Sequence, residues 1–222
     1  MSYSLNEVEA TAKRAARGAG LSWGMAEEAS KAARWLCMQD LPGCKILSAA
    51  LLLNDGTTLA ERAPIRLTGT WASTSGSLCP ILTGACLSDC ASLLKNSEIT
   101  LQSVNHPLLL AHFVGASARL LSMQDPQHSR VTVSAQWAGA SVTSDGYQLC
   151  VTGPQTELHA TKADGVTIRL GGEITTPQPL QNRASPNPED WQAFLNFAQR
   201  TYAPATEESR LLGAGAGVND ND

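Results

Sequence analysis

The sequence predicts an α+β fold, and three observations carry that expectation. The first fifty residues read as capped helices with small apolar faces. Beyond Asn54 the texture changes to period-two alternation broken by Asp-Gly dipeptides. Two further helix openings, His106-Pro107 and Asn187-Pro188, punctuate the strand-like part. Antiparallel hairpins with helices packed on one side define the class.

Ser4-Leu5-Asn6-Glu7 is a capping box, with Ser4 placed to bond the first free amides and Glu7 to reach back. Leu5, Val8, Ala12, Ala15 and Ala16 then recur at helical spacing until Gly18-Ala19-Gly20 stops the helix. Ser22 opens a second helix, with Met25, Ala29, Ala32, Ala33 and Leu36 on one face and an end near Gln39. Pro42-Gly43 breaks that pattern, and a third helix is expected from Cys44 to Leu53. Residues 1–53 therefore read as a helical module.

Residues 54–172 read as the sheet region. Asn54-Asp55-Gly56, Asp145-Gly146 and Asp164-Gly165 are turn dipeptides of the hairpin kind. The second is expected to join Ser141–Thr143 to Gln148–Val151, and the third to join Leu158–Thr161 to Val166–Leu170. Arg130–Ala135 and Glu98–Leu101 are further strand candidates. Between them, His106-Pro107 opens a helix expected to run to about Met123. Residues 173–188 read as a polar linker. In 189–222, a helix with Trp191, Phe194, Leu195 and Phe197 on its apolar side leads into a Gly-Ala-rich closing segment. The whole chain, 1–222, is expected to form one domain.

Composition excludes several functional classes. The net charge is −4, with no basic stripe, so no nucleic-acid partner is expected. Residues 186–222 hold six carboxylates (Glu189, Asp190, Glu207, Glu208, Asp220, Asp222) against Arg200 and Arg210, so the excess acid is concentrated there. No apolar run reaches membrane-spanning length and the front has no leader-like core, so the expectation is a cytoplasmic protein with no membrane partner. Six cysteines in that setting read as reduced thiols. Cys79, Cys86 and Cys90 match no zinc spacing, and His106, His112, His128 and His159 are scattered, so no metal and no cofactor is expected.

The closing stretch, RTYAPATEESRLLGAGAGVNDND, is different in kind. Its alternating Gly and Ala leave backbone amides accessible for close approach. A dinucleotide fingerprint would need a strand before the glycines and a helix after them, and that order is absent here.

Together with the front segment, SLNEVEATAKRAARGAGLSWGMAEEASKAARWL, this ending resembles the bacterial family catalogued as domain of unknown function 3726. The resemblance brings no activity with it. It implies that the ending is a family signature, ordered and functional. The front half is also faintly similar to the opening helices of the malate, lactate and ureidoglycolate dehydrogenase family. Leu41-Pro42-Gly43 stands where that family's Asp-Ser-His-Gly type of segment would fall, so a shared dehydrogenase mechanism is rejected.

Two functions compete on this reading. In the first, the protein is a metabolic enzyme or binder for a small carboxylate or amino-acid-like molecule. Arg200, Thr206, Arg210, Gly213, Gly215 and Gly217 would bind it, and Glu207 and Tyr202 would serve as catalytic groups. Arg14 and Arg17 of the first helix are expected to face the same region. In the second, the protein is a non-catalytic accessory protein whose closing segment docks on a partner or on a second copy of the chain.

Overall fold

The computed structural model describes residues 1–125 and 130–202. A two-residue strand, β1 (Tyr3–Ser4), leads into α1 (Leu5–Gly18), α2 (Trp23–Met38) and α3 (Gly43–Asn54). The expected caps are present: Ser4 accepts from the Glu7 amide and Ser22 from the Met25 amide. The small faces are buried as predicted, since Ala12, Ala15 and Ala16 of α1 and Ala26, Ala29, Ala32 and Ala33 of α2 have no exposed surface. Small side chains let the two helix axes come close, and α1 and α2 pack along their lengths.

β2 (Thr70–Trp71) and α4 (Pro80–Asp89) precede the long strand β3 (Ile99–Asn105). A short 3-10 turn at Pro107–Leu109 then opens α5 (Leu110–Met123), as His106-Pro107 predicted. β4 (Val133–Trp137), β5 (Ala140–Ser144) and β6 (Leu149–Thr152) form a meander. A single helical turn, α6 (Gln155–Leu158), leads to β7 (Lys162–Leu170). β8 (Arg183–Ala184) and α7 (Pro188–Gln199) complete the described chain.

Six strands form one sheet in the order β2-β3-β7-β4-β5-β6, parallel between β2 and β3 and antiparallel elsewhere. Buried Val133, Ala135, Val142, Val166 and Ile168 line its covered face, on which α5 packs. α5 also touches α4 and α2, α2 carries α1 and α3, and α1 carries α7. This is the α+β architecture expected, with helices segregated to one side of a mixed sheet.

Three local expectations are corrected. Asp164-Gly165 is no turn: both residues lie inside β7, with Gly165 opposite Gln102 of β3. Pairing along the full length of β3 outweighs the local turn preference of the dipeptide. Leu158–Thr161 is accordingly not a strand, because Leu158 ends α6. The 173–188 segment is more than a linker. Its β8 residues pair with β1, its Gln178 amide donates to the Leu149 carbonyl, and its Gln181 amide donates to the Met38 carbonyl. It is a strap that ties the N-terminal strand to both layers. By contrast, Asp145-Gly146 does turn between β5 and β6, with the Asp145 carboxylate accepting from the Tyr147 and Gln148 amides.

Candidate functional site

Of the residues singled out in the closing segment, Arg200 and Tyr202 are described. Thr206, Glu207, Arg210, Gly213, Gly215 and Gly217 lie outside the described residues, as does His128. Arg200 sits just past α7 and forms a two-pronged ion pair with Asp55, at 2.6 and 2.9 Å, while its guanidinium lies over the Phe197 ring. The Asp55 carboxyl is held below its usual range by that guanidinium. The Tyr202 hydroxyl accepts from the Arg14 guanidinium at 3.0 Å. So Arg14 does face the end of α7, whereas Arg17 donates to the Leu21 carbonyl and stacks over Trp23. The Arg200 fork is already filled by a carboxylate of the chain itself.

A concave site lies elsewhere. α2 ends in a Schellman motif: the Leu41 amide donates to the Leu36 carbonyl, the Asp40 amide donates to the Cys37 carbonyl, and Asp40 is left-handed at φ 58°. The chain reverses at once into α3. Gly43 makes this reversal fit, because a Cβ there would lie 2.2 Å from the Ala33 carbonyl oxygen and 3.0 Å from the Cys37 sulfur. Only a residue without a side chain lets α3 start against the flank of α2.

A cleft of about 390 Å³ opens beside this turn. Cys37, Asp40 and the first turn of α3 (Gly43, Cys44, Lys45) form one wall. The strap from Arg183 to Asn187 and Asp190 of α7 form the other. Neither Pro42, before α3, nor Asn187, before α7, caps its helix with its own side chain, and the Gly43 amide donates to the Leu41 carbonyl. Lys45 is exposed, and it stands near enough to Asp190 to favour the ionised carboxylate. Partial burial acts more strongly and raises the Asp190 carboxyl above its usual range. The Arg183 guanidinium is anchored on Ser2, donating to its hydroxyl and carbonyl at 2.6 and 2.8 Å. A broader hollow of about 750 Å³ adjoins the strap near Ser4 and Arg34, and Arg34 there is paired with Glu9.

The floor of the cleft carries two thiols. The sulfurs of Cys37, in the last turn of α2, and Cys44, in the first turn of α3, are 3.8 Å apart. The Cys44 thiol, together with the backbone amides of Cys44 and Gly43, draws the Cys37 thiol below its ordinary range against the opposing effect of burial. Contact with Cys37 and burial push Cys44 the other way. The remaining thiols are placed differently. Cys79 is buried and accepts from the Asn54 amide at 3.5 Å, and burial raises both Cys79 and Cys86. Among the described residues, no group of three or more His, Cys, Asp or Glu is gathered as for a metal ion. No helix of the described residues is long and apolar enough to cross a membrane.

The cleft residues were not singled out from the sequence. The signal that would have found them is a pair of cysteines bracketing a Pro-Gly helix break, Cys37 and Cys44 about Pro42-Gly43.

The fold and the cleft define an α+β protein with a small concavity at a helix–helix turn. Residues 3–76 of the chain match the family described as protein of unknown function, DUF3726. The match takes in the helical module, which bears out the resemblance read from the front segment. No curated protein matches. Among solved structures, the malate dehydrogenase from Entamoeba histolytica is similar at 11% identity and a TM-score of 0.41, over 90% of this chain and 61% of that one. The chain therefore spans less than two thirds of that protein's length, and a likeness this weak carries no argument about activity.

Proposed function

We infer that the protein binds a small amino-acid-like carboxylate in the cleft between the α2–α3 turn and the start of α7. One observation carries this reading. The first turn of α3, with Lys45 in it, faces the Asp190 carboxylate across a cavity of about 390 Å³. Helix N-terminal amides and a lysine favour a carboxylate, through the partial positive charge at the helix end. Asp190 and Asp40 offer the complementary charge to an ammonium group. α7 places Asp190 and Arg200 at opposite ends, roughly 15 Å apart at ~1.5 Å per residue, so this cleft and the Arg200–Asp55 pair are separate places.

A thermal-shift series tests the reading with three probes: a simple alkyl carboxylate, an alkylamine and a panel of α-amino acids. A ligand that binds only the folded chain stabilises it by about 2.7 kcal/mol at about a hundred times its Kd. For a chain of this size that is a rise in Tm of roughly 5–10 °C. An amino acid should stabilise more than either half-molecule, and Lys45→Met should abolish the gain. No stabilisation by any probe, or full stabilisation of Lys45→Met, overturns the reading.

A further inference from the structure

Cys37 and Cys44 come from different helices, yet their sulfurs are in contact at 3.8 Å on the floor of an open cleft. We propose that they form a redox-active dithiol, which closes reversibly to a disulfide by exchange with a small-molecule disulfide entering the cleft, Cys37 being the attacking thiol.

The geometry supports each part. A disulfide needs sulfurs at about 2.05 Å, so each sulfur has to move by less than about 1 Å to close the gap. Gly43 holds the two helix ends at this separation, since any side chain there would drive α3 off α2. Cys37 is the more accessible thiol, 7% exposed against 2% for Cys44. It also faces the amides at the N-terminus of α3, a twelve-residue helix, and such a position favours thiolate over thiol. Cys44 in turn is the contact neighbour able to resolve a mixed disulfide. The ring closed by the bond is short, so little chain entropy is removed from the unfolded state and the bond remains open to reduction.

The exchange balances in two steps. The Cys37 thiolate attacks one sulfur of a disulfide RSSR, forming the mixed disulfide Cys37–SR and releasing RS⁻. Cys44 gives up its proton and attacks the Cys37 sulfur, forming the Cys37–Cys44 bond and releasing a second RS⁻. Protons from the two cysteine thiols leave the products as 2 RSH. The protein has lost two electrons and RSSR has gained them.

The inference rests on sulfur geometry and stands whether or not a carboxylate occupies the cleft. Native protein is equilibrated in buffers of graded glutathione to glutathione disulfide ratio, quenched with acid, alkylated after unfolding and mapped by peptide mass. Cys37 and Cys44 should lose alkylation together with a single midpoint, regain it in excess glutathione, and leave the other four cysteines alkylated. In Cys44→Ser, a glutathione adduct should accumulate on Cys37, and in Cys37→Ser, Cys44 should stay unmodified. All six thiols remaining reduced across the series, or a cross-link mapping elsewhere, overturns the proposal. An adduct confined to Cys44 overturns the assignment of the attacking thiol. The wild-type map decides the main point even where a variant folds poorly. Loss of this behaviour with ligand stabilisation intact refutes the dithiol alone.

Discussion

Gly18 lies directly against the Phe197 carbonyl: a Cβ on Gly18 would stand 1.8 Å from that oxygen and 2.6 Å from its carbon. The obstacle is backbone on both sides, so neither side chain can rotate away. Gly18→Ala should therefore force α1 and α7 apart and cost about 1–3 kcal/mol or more. Gly24 is the control, because a Cβ there meets nothing within 4 Å and Ala is the better helix former by about 1 kcal/mol. Urea unfolding should move the two midpoints in opposite directions. An unchanged midpoint for Gly18→Ala would show that the helices do not meet this way.

The same α1–α7 contact depends on an aromatic anchor. Phe194 is fully buried, Trp191 and Phe197 nearly so, and Trp191 stacks on Tyr3 with ring centroids 3.8 Å apart. Phe194→Ala should cost about 3–5 kcal/mol. Limited proteolysis near residue 200 should speed up in the folded variant. Unaltered cleavage would leave α7 without an anchoring role.

Buried His112 sets a pH dependence. Burial first, then the positive charges of Arg119 and Lys31, lower its pKa from 6.5 to about 4. The folded state keeps the ring neutral while the unfolded chain takes up a proton. Stability is thus fully present above the unfolded pKa and declines as pH falls from 6.5 towards about 4. The loss between about pH 7 and about pH 5 should be on the order of 2 kcal/mol. His112→Phe, which cannot protonate, should flatten this slope in urea titrations at the two pH values. An equal slope in the variant would assign the dependence to other groups.

The Arg200–Asp55 pair should matter little to stability, because both partners are substantially exposed. Its sign is still defined. Arg200 depresses the Asp55 carboxyl, so the contribution is present above the ordinary value of 3.8 and is lost as pH falls through the lower, folded one. Asp55→Asn should leave the urea midpoint at neutral pH almost unchanged. A large drop would mean that the pair holds the end of α7 in place.

The helical half of the fold is legible in the sequence because its signals are local. Ser4 and Ser22 cap within three residues, and the alanine faces repeat within a turn. The anchor on α7 is legible for the same reason. Asp164-Gly165 misleads because the partner that overrides its turn preference, Gln102 of β3, is distant in sequence. The strap is hidden likewise, since its prolines suggest a linker while its pairing with Tyr3 and Ser4 spans the chain. The cleft left only one sequence signal, the cysteine pair about Pro42-Gly43. Its charges, Lys45 and Asp190, meet only after α7 folds back past α3, and its thiols meet only because Gly43 admits a close reversal.

Cleft occupancy is tested most directly by the rate at which iodoacetamide labels Cys37 with and without the amino acid that best raises Tm. Cys37 lies on the cleft floor, so a molecule bound between Lys45 and Asp190 stands in the path of the reagent. Labelling should slow by about tenfold at about ten times the Kd, and Lys45→Met should remove that protection. An unchanged rate beside an undiminished rise in Tm would place the ligand somewhere else on the protein.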